Sequence, residues 1–230
     1  MEKNEFYNHA LPHFQQPGQA YFVTWCLKDA VPKKALERYT AELEQLGMMI
    51  CKGCVDFQSP FLNSEIENRA TQMEKLRLQY YSLRKKYIKA YDDLLDAERN
   101  PAVDLSNPAN TKIIVEALHF WEGKKLLNHA FSIMPNHIHW VLELFEKDEK
   151  GFPVYLQDVL QSVKRHTANR INKAEGRTGT FWQKESFDTT IRNHKHLYYA
   201  IKYTLNNPVS AGLVNDWKDW PGSWYECGDL

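Results

Sequence analysis

The stretch from Leu127 to Phe145 constrains this chain more than any other. Two apolar, β-branched and aromatic runs, Leu127–Met134 and His137–Phe145, flank the break Pro135-Asn136. That pattern predicts an antiparallel pair of strands that must be covered on at least one face. In an extended segment residues i and i+2 share a face, so His137 and His139 lie side by side and Ile138 points into the opposite layer. Two neutral imidazoles on one rigid strand begin a divalent-metal site, but two ligands are too few to hold a catalytic ion. On spacing alone, two polar side chains on a wet strand face fit equally well.

The rest of the chain supplies layers for such a sheet. Ala20–Leu27 follows a Pro17-Gly18 turn and reads as a first strand. Leu36, Tyr39, Leu43, Leu46 and Ile50 step by threes and fours, as do Met73, Leu76, Tyr80, Leu83, Tyr87, Ala90 and Leu94. Both are heptad stripes, which predict two long helices; a hairpin insertion over about 31–104, packed on itself within one chain, fits best, and a dimerising coiled coil is the rival. A third helix is expected near Asn110–Trp121, a fourth over Val154–Asn172, a strand over Thr180–Arg192, and a last helix from about Lys195 to Asn206, stopped by Asn207-Pro208. The order predicts an α+β fold, an antiparallel β-sheet flanked by α-helices, with a long helical insertion after the first strand. Residues 1–230 are expected to form one domain carrying that insertion.

Charge narrows the partners. Lys plus Arg and Asp plus Glu number 29 each, so any nucleic-acid contact must be local rather than a general basic coat. Between Val154 and Thr204 nine basic side chains face four acidic ones, an excess of five positive charges. Lys164, Arg165 and Arg170 share the polar side of the fourth helix, where they either track a phosphate backbone or are simply solvated. Arg192 belongs to the same basic stretch. Trp182, Tyr198 and Tyr199 either stack bases or pack, and core is the expected fate of at least two of them. With four cysteines, no signal-like leader before the first strand and no membrane-length apolar run, the expectation is a reducing cytoplasm and no membrane partner. Cys51-Lys52-Gly53-Cys54 lacks a second ligand pair and reads as a turn between helices.

A third metal ligand is offered by the last helix. Tyr203 and Asn207 are four residues apart and therefore one turn apart on one face. Asn207 can give a metal its carbonyl oxygen and Tyr203 can set a phenol beside it. A half-buried tyrosine and an Asn-Pro helix stop account for the same residues without any chemistry.

Taken in order, the motifs resemble a known family. Met134-Pro135-Asn136-His137-Ile138-His139, the helix Leu156–Lys164, Phe181-Trp182-Gln183 with Phe187-Asp188, Tyr203 through Asn207-Pro208-Val209-Ser210-Ala211-Gly212-Leu213-Val214, and Asp219-Trp220-Pro221-Gly222-Ser223-Trp224 resemble the single-tyrosine transposases of the His-hydrophobic-His (HUH) nucleases. More narrowly they resemble the REP-associated tyrosine transposases. With the first strand they cover roughly two thirds of the chain. The resemblance implies the HUH transposase fold, Mg²⁺ or Mn²⁺ bound by His137, His139 and Asn207, and Tyr203 as nucleophile. It implies cleavage of single-stranded or hairpin-forming repeat DNA through a 5′-phosphotyrosine, leaving a 3′-OH, by a monomer or homodimer. The alternative is a domesticated single-strand or hairpin DNA-binding protein with little or no cleavage. Ser186 stands where relatives often carry Tyr, so no DNA contact is carried over at that position.

Overall fold

The computed structural model describes residues 6–8, 12–14, 16–55, 63–97, 101–184 and 186–226. The chain divides into two compact units, one of residues 1–30 with 97–230 and one of residues 31–96. The unit that contains the inserted helices ends at Asp96.

A short antiparallel pair, β1 (Phe6–Asn8) with β2 (Pro12–Phe14), comes first. The main sheet contains β3 (Ala20–Cys26), β4 (Leu126–Ile133), β5 (His137–Leu144), β6 (Phe187–Thr190) and β7 (Ser223–Tyr225). Its order is β6-β3-β5-β4-β7, and every pairing is antiparallel. Strand β5 lies at the centre, which is why the histidine strand is apolar on both sides: Ile138, Trp140 and Leu142 are buried on one face and Val141 on the other. Strand β3 buries Tyr21, Val23 and Trp25 on one face and Thr24 and Cys26 on the other. The expected strand over Thr180–Arg192 shrinks to β6: of the described residues before it, Trp182 makes an isolated bridge to Leu27 and Gln183 N bonds the Cys26 carbonyl, without forming a continuous ladder.

Among the described residues three α-helices belong to the sheet unit: α3 (Pro108–His119), α4 (Leu156–Ala174) and α5 (His194–Ser210). Helix α3 starts where sequence rules place a start, with Asn107 Oδ1 accepting from Ala109 N and Pro108 in the first turn. Helix α5 is capped by Asn193, whose side chain accepts from His196 N. It does not stop at Asn207-Pro208 as expected but runs on to Ser210. Pro208 sits within the last turn, so it forfeits one ladder bond without breaking a long helix. The stop comes instead at Gly212 (φ +69°), with Leu213 N bonding Pro208 O. Ala200, Ile201 and Leu205 of α5 pack with Ala130, Val141 and Ile191 against one face of the sheet.

The inserted unit is a helical pair, α1 (Glu37–Val55) and α2 (Asn63–Ala97). The heptad stripes meet within one chain: Tyr39 of α1 lies edge-on to Tyr87 of α2 at 6.3 Å, and a Cβ on Gly47 would come within 4.0 Å of the Tyr80 ring. Cys51-Lys52-Gly53-Cys54 forms part of the last turns of α1 rather than the interhelical turn, so its spacing reflects helix continuation. The connection itself, 56–62, lies outside the described residues.

Candidate active site

The turn between β4 and β5 fixes the histidines. The Pro135 carbonyl accepts from Leu105 N and the Asn136 carbonyl from Leu27 N, each at 2.9 Å, so two neighbouring segments clamp the break. Asn136 is itself buried, and its Oδ1 accepts from His137 Nδ1 at 2.6 Å. On the neighbouring strand Thr24 stands opposite His139, with its hydroxyl 2.8 Å from His139 Nδ1. Each ring is therefore oriented through Nδ1, which leaves Nε2 for the site. Sequence reasoning missed both orienting residues. Asn136 was visible only as a turn former, and Thr24 as one β-branched residue in a strand full of them.

The two Nε2 atoms face each other at 3.0 Å, with the rings nearly perpendicular. Both imidazoles are buried. Burial holds His139 down at about 3, against a weaker upward pull from Asn207. Burial and the neighbouring His139 push His137 well below its ordinary value, again opposed by Asn207. Both rings are thus neutral near pH 7, the form a metal ligand requires.

Helix α5 brings two further groups to this point. Asn207 is 4% exposed, and its Oδ1 has no hydrogen-bond partner among the described residues. A buried carbonyl oxygen that bonds nothing costs about 1–3 kcal/mol, so its presence calls for a partner. The Tyr203 ring lies 5.4 Å from the His139 ring and edge-on to Phe22 at 5.6 Å, while Phe22 stacks on His139 at 5.7 Å. Tyr203 is 41% exposed, so its ring borders solvent as well as His139.

These residues suit a hard divalent cation. Two nitrogens about 2.1 Å from one ion and at a right angle stand about 3.0 Å apart, the separation of an octahedral edge. The His137–His139 spacing of 3.0 Å matches that edge, and Asn207 Oδ1 is an unsatisfied oxygen donor beside it. Among the described residues no third His, Cys, Asp or Glu joins the pair, so the amide is the available third donor.

The other predicted contact residues separate. Arg165 and Arg170 are exposed on α4, and Arg192 is exposed just before α5. Lys164 Nζ donates to the carbonyls of Gln183 at 2.8 Å and Lys184 at 3.3 Å, which ties α4 to the segment before β6. A groove of about 480 Å³ runs there, lined by Gln161, Lys164, Arg165, Gln183 and Lys184. That segment connects to the histidine end of the sheet, because Cys26 Sγ–H donates to Gln183 Oε1 and Cys26 pairs with His137. Trp182 is corrected: it is 6% exposed, its indole N–H donates to Thr167 Oγ1 at 3.0 Å, and it packs on Trp25. It serves the core and is not an open stacking platform. Core was expected for at least two of Trp182, Tyr198 and Tyr199, but Tyr198 and Tyr199 are 46% and 55% exposed on α5.

The structure brings together His137, His139, Tyr203 and Asn207, the four residues that the HUH transposase resemblance assigns to one site. Over 99 residues the chain is 33% identical to a putative REP-associated tyrosine transposase of Haemophilus influenzae. Over 95 residues it is 30% identical to a REP-associated tyrosine transposase of Escherichia coli. Each match covers 41% of this chain, and the chain spans about half the length of these relatives, 56% and 52%. The resemblance to REP-associated tyrosine transposases therefore stands on relatives as well as on motifs. A solved structure of such a transposase bound to a REP hairpin aligns over 97% of this chain and 82% of its own, with 15% identity and a TM-score of 0.49. No protein-family model matches the chain. Among the described residues no helix is long and apolar enough to cross a membrane.

Proposed function

We propose that this protein cuts and rejoins single-stranded, hairpin-forming DNA by the route of a tyrosine transposase. The observation that carries the reading is one juxtaposition: the half-exposed Tyr203 phenol beside a buried, neutral histidine pair and the unsatisfied Asn207 oxygen. His137, His139 and Asn207 would hold Mg²⁺ or Mn²⁺, which when bound polarises the scissile phosphate and eases departure of the 3′-oxygen. Asn136 and Thr24 keep the two imidazoles in position. The Tyr203 oxygen attacks phosphorus and its proton passes to solvent. As the new oxygen–phosphorus bond forms, the bond to the 3′-oxygen breaks, and that oxygen leaves as a 3′-OH after taking up a proton. One phosphodiester is exchanged for another, so a second 3′-OH reverses the step and joins a strand without a nucleotide cofactor. Arg165, Arg170 and Arg192 would meet phosphates, and exposed Tyr198 and Tyr199 would offer ring faces to unpaired bases.

The test is a labelled hairpin with single-stranded flanks incubated with Mn²⁺. The account expects a cleaved strand with a 3′ end that a polymerase extends, and no product in EDTA. Cleavage that is indifferent to chelator, or a 3′-phosphate product, contradicts it.

A further inference from the structure

Beyond cleavage, we infer that the middle of α2 is a binding surface for the phosphate backbone of duplex DNA. From Lys75 to Lys89 the helix carries six basic side chains (Lys75, Arg77, Arg84, Lys85, Lys86, Lys89) and no acidic one. Lys75, Arg77, Lys85 and Lys86 are exposed. The inward stripe of Met73, Leu76, Tyr80, Leu83 and Tyr87 is half-buried, so the cations lie on the faces left to solvent. Between them Leu78 and Tyr81 stand out, 61% and 59% exposed, where a phenol can bond a phosphate oxygen and an aliphatic chain can pack on sugar.

A basic run within a helical hairpin has an ordinary use, which is to pair with the other helix. Helix α1 supplies suitable partners in Glu37, Glu42 and Glu44. They are not used that way: Glu42 pairs with Arg38 of its own helix at 2.9 Å. Among the described residues no ion pair or hydrogen bond engages Lys75, Arg77, Lys85 or Lys86. Lys89 alone is neutralised, by Asp93 at 2.7 Å, where the basic stretch ends. Four unspent cations along about 17 Å of rigid helix lie within the rise of about five base pairs, whose roughly ten phosphates supply more than enough negative charge to meet them. Only two large apolar side chains interrupt the outward face, which suits a polyanion better than a bilayer interface. The choice of duplex DNA rests on the proposed hairpin-DNA function; the surface itself does not depend on cleavage.

The experiment measures the full chain binding a blunt 20-base-pair duplex by anisotropy across a salt series, for wild type and for Arg77→Gln/Lys85→Gln/Lys86→Gln. Circular dichroism checks that helicity is kept, and Lys75→Gln/Lys85→Gln serves as a milder variant. The expected result is at least a tenfold loss of duplex affinity near 0.1 M salt and a salt slope shallower by about 2–3, since each phosphate contact contributes about 0.9. Tyr203-dependent adduct formation on a short unstructured strand keeps its wild-type rate. Unchanged affinity and slope overturn the inference, as does loss of binding to phosphatidylserine vesicles in the variant while duplex binding stays intact. Absence of any adduct in the wild type would count against the cleavage reading alone.

Discussion

Replacing Asn207 by leucine should stabilise the metal-free protein and abolish its response to metal. Asn207 Oδ1 is buried and bonds nothing, although it lies near enough to both imidazoles to favour their protonated forms. Leucine has a similar volume and no oxygen to desolvate, so Asn207→Leu recovers about 1–2 kcal/mol. For a chain of this size that raises the melting temperature by about 2–8 °C in EDTA. Wild type with Mn²⁺ at a hundredfold excess over Kd gains about 2.7 kcal/mol. On the proposed ligand set the variant lacks its third donor and should show little of that gain. Tryptophan fluorescence is a suitable probe, because all seven tryptophans lie outside residues 31–96 and report the sheet unit alone. A variant that melts below wild type in EDTA refutes the assignment of an unsatisfied oxygen. One that keeps the full Mn²⁺ shift refutes its role as ligand.

Three further outcomes follow from the same geometry. In EDTA the folded histidines bind protons more weakly than the unfolded chain. Stability is therefore complete above about pH 6.5 and falls toward the folded value of about 3 for His139, whose share of the loss at pH 3 is about 4 kcal/mol. Melts across that range should flatten in His139→Gln, and an unchanged slope would discount the buried pair. Trp182→Ala should cost about 3–5 kcal/mol of stability through the cavity it leaves, while Trp182→Phe should bind single strands as wild type does; a selective loss of binding in the latter would restore Trp182 as a contact residue. Gly222→Ala should destabilise by about 1–3 kcal/mol, because its Cβ would meet the Ile133 carbonyl at 2.5 Å, and a neutral effect in thermal melts would argue against the close passage of the tail.

The sheet and its site were legible where one periodicity had one physical meaning. The His-Ile-His alternation placed both rings on one face, and Tyr203 and Asn207 shared a helix face by their four-residue spacing. Residues whose chemistry fits two settings were not legible. Trp182 reads as a stacking platform or as core, and only its bond to Thr167 decides between them. Tyr198 and Tyr199 erred the other way, since no pattern in α5 says which tyrosines the sheet covers. The Asn-Pro pair promised a helix stop, but a proline in a final turn costs little, and Gly212 set the end. Strand β7 was missed because three residues carry no alternation; it is held from outside, by pairing with β4 and by Trp224 stacked on Phe131 at 5.4 Å.

The central claim is that Tyr203 and the histidine pair form one strand-cutting site. It is tested most directly by mapping a covalent adduct. The protein is incubated with a hairpin oligonucleotide and Mn²⁺, denatured and digested, and the peptide bearing a 5′-phosphonucleotide is sequenced by mass spectrometry. The account predicts a phosphotyrosine at Tyr203 that disappears in Tyr203→Phe and in His137→Ala/His139→Ala. An adduct on any other residue, or one that persists in Tyr203→Phe, would contradict it.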